Sequence, residues 1–125
     1  MAASSASLHE DPEKLKPETI DRHRAIVSVM EELEAVDWYD QRLEAAEDEE
    51  LRQILTHNRD EEKEHAAMAL EWLRRRDPAL NQQLRAYLFT DGPIAERAKE
   101  GEAATGKAGD GSLGIGSLRG AGAGR

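Results

Sequence analysis

One stretch of this 125-residue chain, residues 57–65, combines carboxylate and imidazole side chains at spacings suited to metal binding. Glu62 and His65 are three residues apart, so on a helix they lie on one face and can reach the same ion. The chain contains no cysteine, so any metal must be held by histidine and carboxylate. Those donors suit hard or borderline divalent cations, which predicts a cation site that includes Glu62 and His65.

Three helices are predicted to position these side chains, because no glycine precedes Gly92 and good helix formers dominate. The first helix runs from Pro17 to about Glu44, and the second, capped by Asp48, runs from Glu49 to Arg76. A short third helix follows Asp77-Pro78 and covers Ala79 to about Phe89. The predicted fold class is therefore all-α, with the first two helices forming an antiparallel hairpin around a short turn.

Glu32 is the polar member of an otherwise apolar seam on the first helix, where a lone carboxylate is costly to bury. Ile26, Met30 and Leu33 widen this seam into an apolar face. In the hairpin Glu32 and Glu62 lie at nearly equal distances from the turn, so they reach the same height, with His65 one turn further along. Three potential ligands are expected to converge there, and a divalent cation would compensate the buried charge.

Composition excludes several classes of protein. The formal net charge of −9 argues against nucleic-acid binding, and no segment is apolar enough to enter a membrane, so we expect a cytoplasmic protein. Hydrophobic residues make up 38% of the chain and aromatic residues 4%, a lean core that favours self-association.

The two ends of the chain differ from its centre. Residues 1–16 are polar and predicted to form a flexible arm, whereas residues 17–95 form the helical domain. Nine of the ten glycines lie beyond residue 100, which predicts a disordered tail.

The segment from Arg22 to Arg75 resembles the encapsulated ferritins, which are ferroxidases carried as cargo inside encapsulin shells. The resemblance rests on the runs EELEAVDWYD at 31–40 and HNRDEEKEH at 57–65. It implies that two chains dimerise into a ferritin-like four-helix bundle, and that dimers assemble into an annular homodecamer. It also implies a di-iron centre at the dimer interface, with Glu32, Glu62 and His65 from both subunits as ligands and Glu62 bridging the irons.

The resemblance also assigns roles around this centre. Glu31 and Glu34, with Trp38, match an access site for metal, although such a run is ordinarily a solvated acidic face. Tyr39 lies near the centre and is either a core aromatic or a redox-active residue. His57, Glu61 and Glu64 follow i, i+4, i+7 spacing, which suits either a secondary cation site or a solvated helix face.

A second resemblance lies in the tail, where residues 110–119 look like an encapsulin targeting peptide. Leu113, Ile115 and Leu118 are its aliphatic anchors within residues 113–119, and the intervening glycines permit an extended backbone that fits a groove. Residues 96–112 then form a flexible linker and residues 120–125 a disordered end. The alternative is a chance apolar triplet in a glycine-rich linker.

The function predicted from these features is ferroxidation of Fe²⁺ by dioxygen inside an encapsulin nanocompartment, for iron storage or detoxification. A non-catalytic metal buffer or a structural cargo adaptor is the alternative from another class. A rubrerythrin-like peroxide reductase is the rival enzyme, and the absence of cysteine argues against it, because that group usually adds a cysteine-bearing rubredoxin domain.

Overall fold

A computed structural model describes residues 7–97, and this part of the chain is helical without β-strands. After a 3₁₀ turn at Pro12–Lys14, the chain forms α1 (Pro17–Ala45), α2 (Glu49–Arg76) and α3 (Pro78–Tyr87), and residues 94–97 are also helical. The predicted all-α fold class is confirmed. The observed helix ends lie within two residues of the predicted ones.

The helix starts follow the capping residues in the sequence. Asp48 Oδ2 accepts a hydrogen bond from the Leu51 amide at 2.8 Å, and Asp77 Oδ1 accepts one from the Leu80 amide at 3.0 Å. Each carboxylate satisfies an amide that the first helical turn leaves without a partner. α3 ends before the predicted Phe89, because Phe89 adopts the left-handed region with φ of 60°.

α1 and α2 form an antiparallel hairpin whose turn spans three residues. Arg52 Nη1 donates to the carbonyl oxygen of Ala46 at 3.1 Å and also to that of Leu43. These carbonyls lie at the end of α1, where backbone acceptors lack helical partners and a cation is favoured. Arg52 therefore closes the hairpin next to its turn.

The hairpin buries little of its apolar surface within one chain. Among residues 7–97 only Ala66 and Leu73 are buried, while seam residues such as Val29 and Val36 are half-buried. Large apolar side chains on both helices are 41% to 58% exposed: Ile26, Met30, Leu33, Ile54 and Met68. Large apolar side chains left exposed on both helices favour an interaction with another protein surface.

The chain divides after Leu73 into two units, so the last turn of α2 belongs to the second unit together with α3. Within that unit, Asn81 Oδ1 accepts hydrogen bonds from Arg74 at 2.6 Å and from Arg85 at 3.1 Å. Within residues 7–97, no helix has the length and hydrophobicity needed to cross a bilayer.

Candidate metal centre

Glu32 on α1 meets Glu62 and His65 on α2 midway along the hairpin. One ligand atom from each residue lies within 4.8 Å of the other two. His65 Nδ1 is 3.0 Å from Glu62 Oε1 and 3.5 Å from Glu32 Oε2. In the described range 7–97, this is the single group of three or more acidic, histidine or cysteine side chains brought so close together. The structure thus joins two ligands from one helix with one from the other.

Local structure explains this convergence. Glu62 and His65 are one turn apart on α2, so their side chains meet on one face of that helix. Glu32 reaches them because the short turn makes the two helices antiparallel, with equal distances from the turn at equal heights. Long, regular helices position side chains more rigidly than loops do, which favours a preorganised site.

Glu32 carries the least satisfied polar atom of the cluster. Its Oε2 is buried and has no hydrogen-bond partner among the described residues, and its side chain is only 27% exposed. The contact with His65 at 3.5 Å is an ion pair without the geometry of a hydrogen bond. Since a buried carboxylate oxygen without a hydrogen bond is costly, the arrangement fits a cation placed against it.

The protonation of His65 reflects its two acidic neighbours. Burial lowers the pKa of the imidazole, but the charge of Glu32 and the hydrogen bond and charge of Glu62 together outweigh it, so the pKa lies above the ordinary 6.5. When His65 is protonated in the metal-free cluster, its charge offsets part of the carboxylate charge. A divalent ion can replace that proton and bind the same three side chains.

The residues expected to form an access site do not join this cluster. Glu31, Glu34 and Trp38 are all exposed on α1, and Trp38 is 48% exposed despite its large apolar ring. Tyr39 is half-buried, and the guanidinium carbon of Arg42 lies 5.3 Å from the centroid of its ring. That distance permits a cation–π interaction.

Two of the three residues predicted for a secondary cation site are in contact with each other. His57 Nε2 lies 3.3 Å from Glu61 Oε1, and both side chains are largely exposed. Glu64 is exposed on the same helix but is not grouped with them. The tail residues Leu113, Ile115 and Leu118 lie outside the described residues.

The sequence analysis missed an ion pair that links the two helices next to the cluster. Arg59 Nη1 on α2 donates to Asp40 Oδ1 on α1 at 3.1 Å, and Arg59 Nε lies 3.2 Å from Asp60 Oδ1. Equal height gave no signal for this pair, because Arg59 lies about five residues further from the turn than Asp40 and reaches it through its long side chain. Sequence cannot decide whether two such side chains meet, since that depends on helix rotation and side-chain conformation.

Comparisons with known proteins agree with this architecture. The EncFtn-like family model matches residues 7–91. The chain is 65% identical to an encapsulated ferritin-like protein of Rhodospirillum rubrum, over 96% of this chain and 93% of the relative. It is 51% identical to a ferritin-like protein of Thermotoga maritima, over 86% of this chain and 93% of the relative.

A crystal structure of protein ne0167 from Nitrosomonas europaea is also similar. It has 61% identity and a TM-score of 0.70, with 71% of this chain and 98% of that one covered. The backbone of a related sequence thus follows the same path over most of the described residues.

Proposed function

This chain belongs to the EncFtn-like family, and from that premise we propose that it is a ferroxidase that oxidises Fe²⁺ with dioxygen as cargo of an encapsulin shell. The observation that carries the proposal is the cluster of Glu32, Glu62 and His65, whose donor atoms lie within 4.8 Å of one another. Its two carboxylates and one imidazole suit ferrous iron, the substrate.

The residues of the cluster have distinct tasks in this reaction. Glu32 and Glu62 supply negative charge that attracts Fe²⁺ and that favours the harder Fe³⁺ ion after oxidation. His65 supplies a neutral nitrogen donor once the incoming ion displaces its proton. Each iron loses one electron to dioxygen, so two irons held side by side provide an electron pair.

A second copy of the chain is part of the proposal. One chain offers three ligands, whereas ferritin-like di-iron sites use two Glu-x-x-His motifs and two further glutamates. A two-fold axis next to the cluster would bring two sets of three ligands around two irons, with Glu62 bridging. The exposed apolar side chains Ile26, Met30 and Met68 supply the kind of surface that such an interface covers. We propose further that such dimers assemble into an annular homodecamer.

Residues near the centre are proposed to supply it with iron. The exposed Glu31 and Glu34, beside Trp38, would form the access site, because like charges one turn apart favour a cation between them. His57 and Glu61, with Glu64, would form a weaker cation site on α2.

Location inside a shell is proposed from the tail. A relative is named an encapsulated ferritin-like protein, and Leu113, Ile115 and Leu118 would bind the inner surface of the shell in an extended conformation. The helical domain at 17–95 would be tethered through residues 96–112.

Stopped-flow absorbance after mixing the full-length protein with Fe²⁺ in air tests the catalytic proposal. The parent chain should oxidise iron well above the buffer rate. Glu32→Ala, Glu62→Ala and His65→Ala should each lose most of that activity, because each removes a ligand from both halves of the site. Glu47→Gln removes an exposed carboxylate in the turn and is the matched control for charge.

The same assay separates the alternatives. A metal buffer or a cargo adaptor would bind Fe²⁺ without oxidising it above the buffer rate. Activity within about twofold of the parent in all three variants would contradict the site assignment, since twofold corresponds to only ~0.4 kcal/mol.

A further inference from the structure

The ion pair between Asp40 and Arg59 connects α1 to α2 close to the cluster. Arg59 precedes Glu62 by three residues, about 4.5 Å along the helix axis. Its side chain is 23% exposed, whereas that of Asp40 is 55% exposed. A long side chain held this closely against the hairpin loses much of its rotamer freedom, so its head group defines a position on the other helix.

Three polar links between the helices follow one another along the hairpin. Next to the turn, Arg52 binds the carbonyl oxygens at the end of α1. Arg59 binds Asp40 further along, and His65 meets Glu32 beyond it. The links made by Arg52 and His65 join residues at similar distances from the turn, whereas Arg59 lies about five residues further from the turn than Asp40, an axial offset that its long side chain spans. All three links form in one axial register. A slide of either helix would break them together.

We propose that Asp40 and Arg59 are positioning residues that fix the axial register of α1 against α2, and thereby set the distance from Glu32 to Glu62 and His65. The inference rests on the proposed function of that cluster as a metal site. It concerns neither a ligand nor a substrate contact, because both residues act through the helices that carry the ligands.

The direction in which metal affinity changes when Arg59 is replaced tests the proposal. The cationic side chain of Arg59, which stems from the helix that carries Glu62, opposes the binding of another cation nearby, so removing its charge should tighten metal binding if only the electric field matters. If Arg59 sets the register, its removal should weaken metal binding instead. The two explanations therefore predict opposite changes for Arg59→Gln.

Asp60 provides a matched control for Asp40. Both carboxylates contact the guanidinium of Arg59, at 3.2 Å and 3.1 Å respectively, but Asp60 lies on the same helix as Arg59 and also pairs with Lys63. Asp60 is two residues from Glu62, so a pure field effect predicts that Asp60→Asn weakens metal binding at least as much as Asp40→Asn. The register explanation predicts a clear loss for Asp40→Asn alone.

The experiment is a titration of metal-free, full-length protein with Co²⁺. Calorimetry measures the affinity, and visible absorption records the spectrum of bound Co²⁺. We expect Arg59→Gln and Asp40→Asn each to weaken binding by about threefold to tenfold and to alter the Co²⁺ spectrum, which reports coordination geometry. The double variant should bind Co²⁺ no more weakly than either single variant, because either substitution alone already removes the ion pair. Asp60→Asn should retain the parent affinity within about twofold.

The affinity and the spectrum distinguish this role from a merely structural one. A variant that only lowers the free energy of unfolding remains almost fully folded well below its melting temperature, so its Co²⁺ affinity and spectrum stay those of the parent. Tighter or unchanged binding in Arg59→Gln overturns the inference while leaving the metal site intact. A parent chain that binds no Co²⁺ overturns the proposed function and this inference with it.

Discussion

Replacing Glu32 by Gln should separate the cost of this carboxylate in the metal-free protein from its value in the metal-bound one. The substitution keeps the shape of the side chain and removes its charge. In the metal-free cluster, the carboxylate oxygens lie within 4.8 Å of each other, and two unit charges at that upper limit repel by about 3.5 kcal/mol at an effective dielectric constant of ~20 and by about 1 kcal/mol in bulk water. Both glutamates are about a quarter exposed, so the repulsion lies between these limits.

The expected result in excess chelator is that Glu32→Gln melts at the same temperature as the parent or higher. This holds best above the raised pKa of His65, where the imidazole is neutral and no longer offsets the repulsion. A stabilisation of about 1 kcal/mol would raise the melting temperature by about 4–8 °C for a domain of this size.

Added metal should reverse the order of the melting temperatures, so that the parent melts above Glu32→Gln. At a free concentration of a hundred times the Kd, one bound ion stabilises the parent by about 2.7 kcal/mol, which corresponds to about 10–20 °C. If the loss of a ligand weakens binding about a hundredfold, the same concentration stabilises the variant by only ~0.4 kcal/mol. Thermal unfolding is monitored by circular dichroism at one fixed protein concentration, with chelator and with Co²⁺. It measures the melting temperature of each metal-free protein and the shift that the metal causes.

Glu47→Gln is the control, because it removes an exposed carboxylate of the turn without touching the cluster. It should show the full metal-induced shift of the parent. A Glu32→Gln variant that is destabilised in chelator yet keeps the parent's metal-induced shift would refute both the buried repulsion and the assignment of Glu32 as a ligand.

Three further outcomes are expected. In chelator, the free energy of unfolding that protonated His65 adds should be fully present below pH 6.5 and be lost as the pH rises through its raised folded-state pKa. The unfolding curves of the parent and of His65→Gln should therefore converge at alkaline pH. A gap between the two curves that stays constant with pH would argue against the raised pKa. Asp48→Ala should cost about 1 kcal/mol in denaturant unfolding because the Leu51 amide loses its acceptor, and an unchanged midpoint would show that the cap is dispensable. Deleting residues 110–125, which lie outside the described residues, should leave helicity and iron oxidation intact but abolish co-purification with a co-expressed encapsulin shell, so equal loading of both forms would disprove targeting by the tail.

Much of the helical framework could be predicted from local sequence. Asp48 and Asp77 mark helix starts, because a carboxylate can accept hydrogen bonds from the free amides of a first turn. The absence of glycine before Gly92 allows long, unbroken helices. The three-residue spacing of Glu62 and His65 and the equal distances of Glu32 and Glu62 from a short turn were enough to predict that these side chains converge, since both follow from fixed helix geometry.

Tertiary structure decided what periodicity leaves open. Periodicity assigns a residue to a face and a height, but the rotation of one helix against the other and the conformations of long side chains depend on packing. For that reason only the structure shows that Glu32 Oε2 is buried without a hydrogen bond and that His65 Nδ1 lies between two carboxylates. The same reason hid the pair of Arg59 and Asp40, in which opposite charges 19 residues apart meet because two helices pack in one particular register.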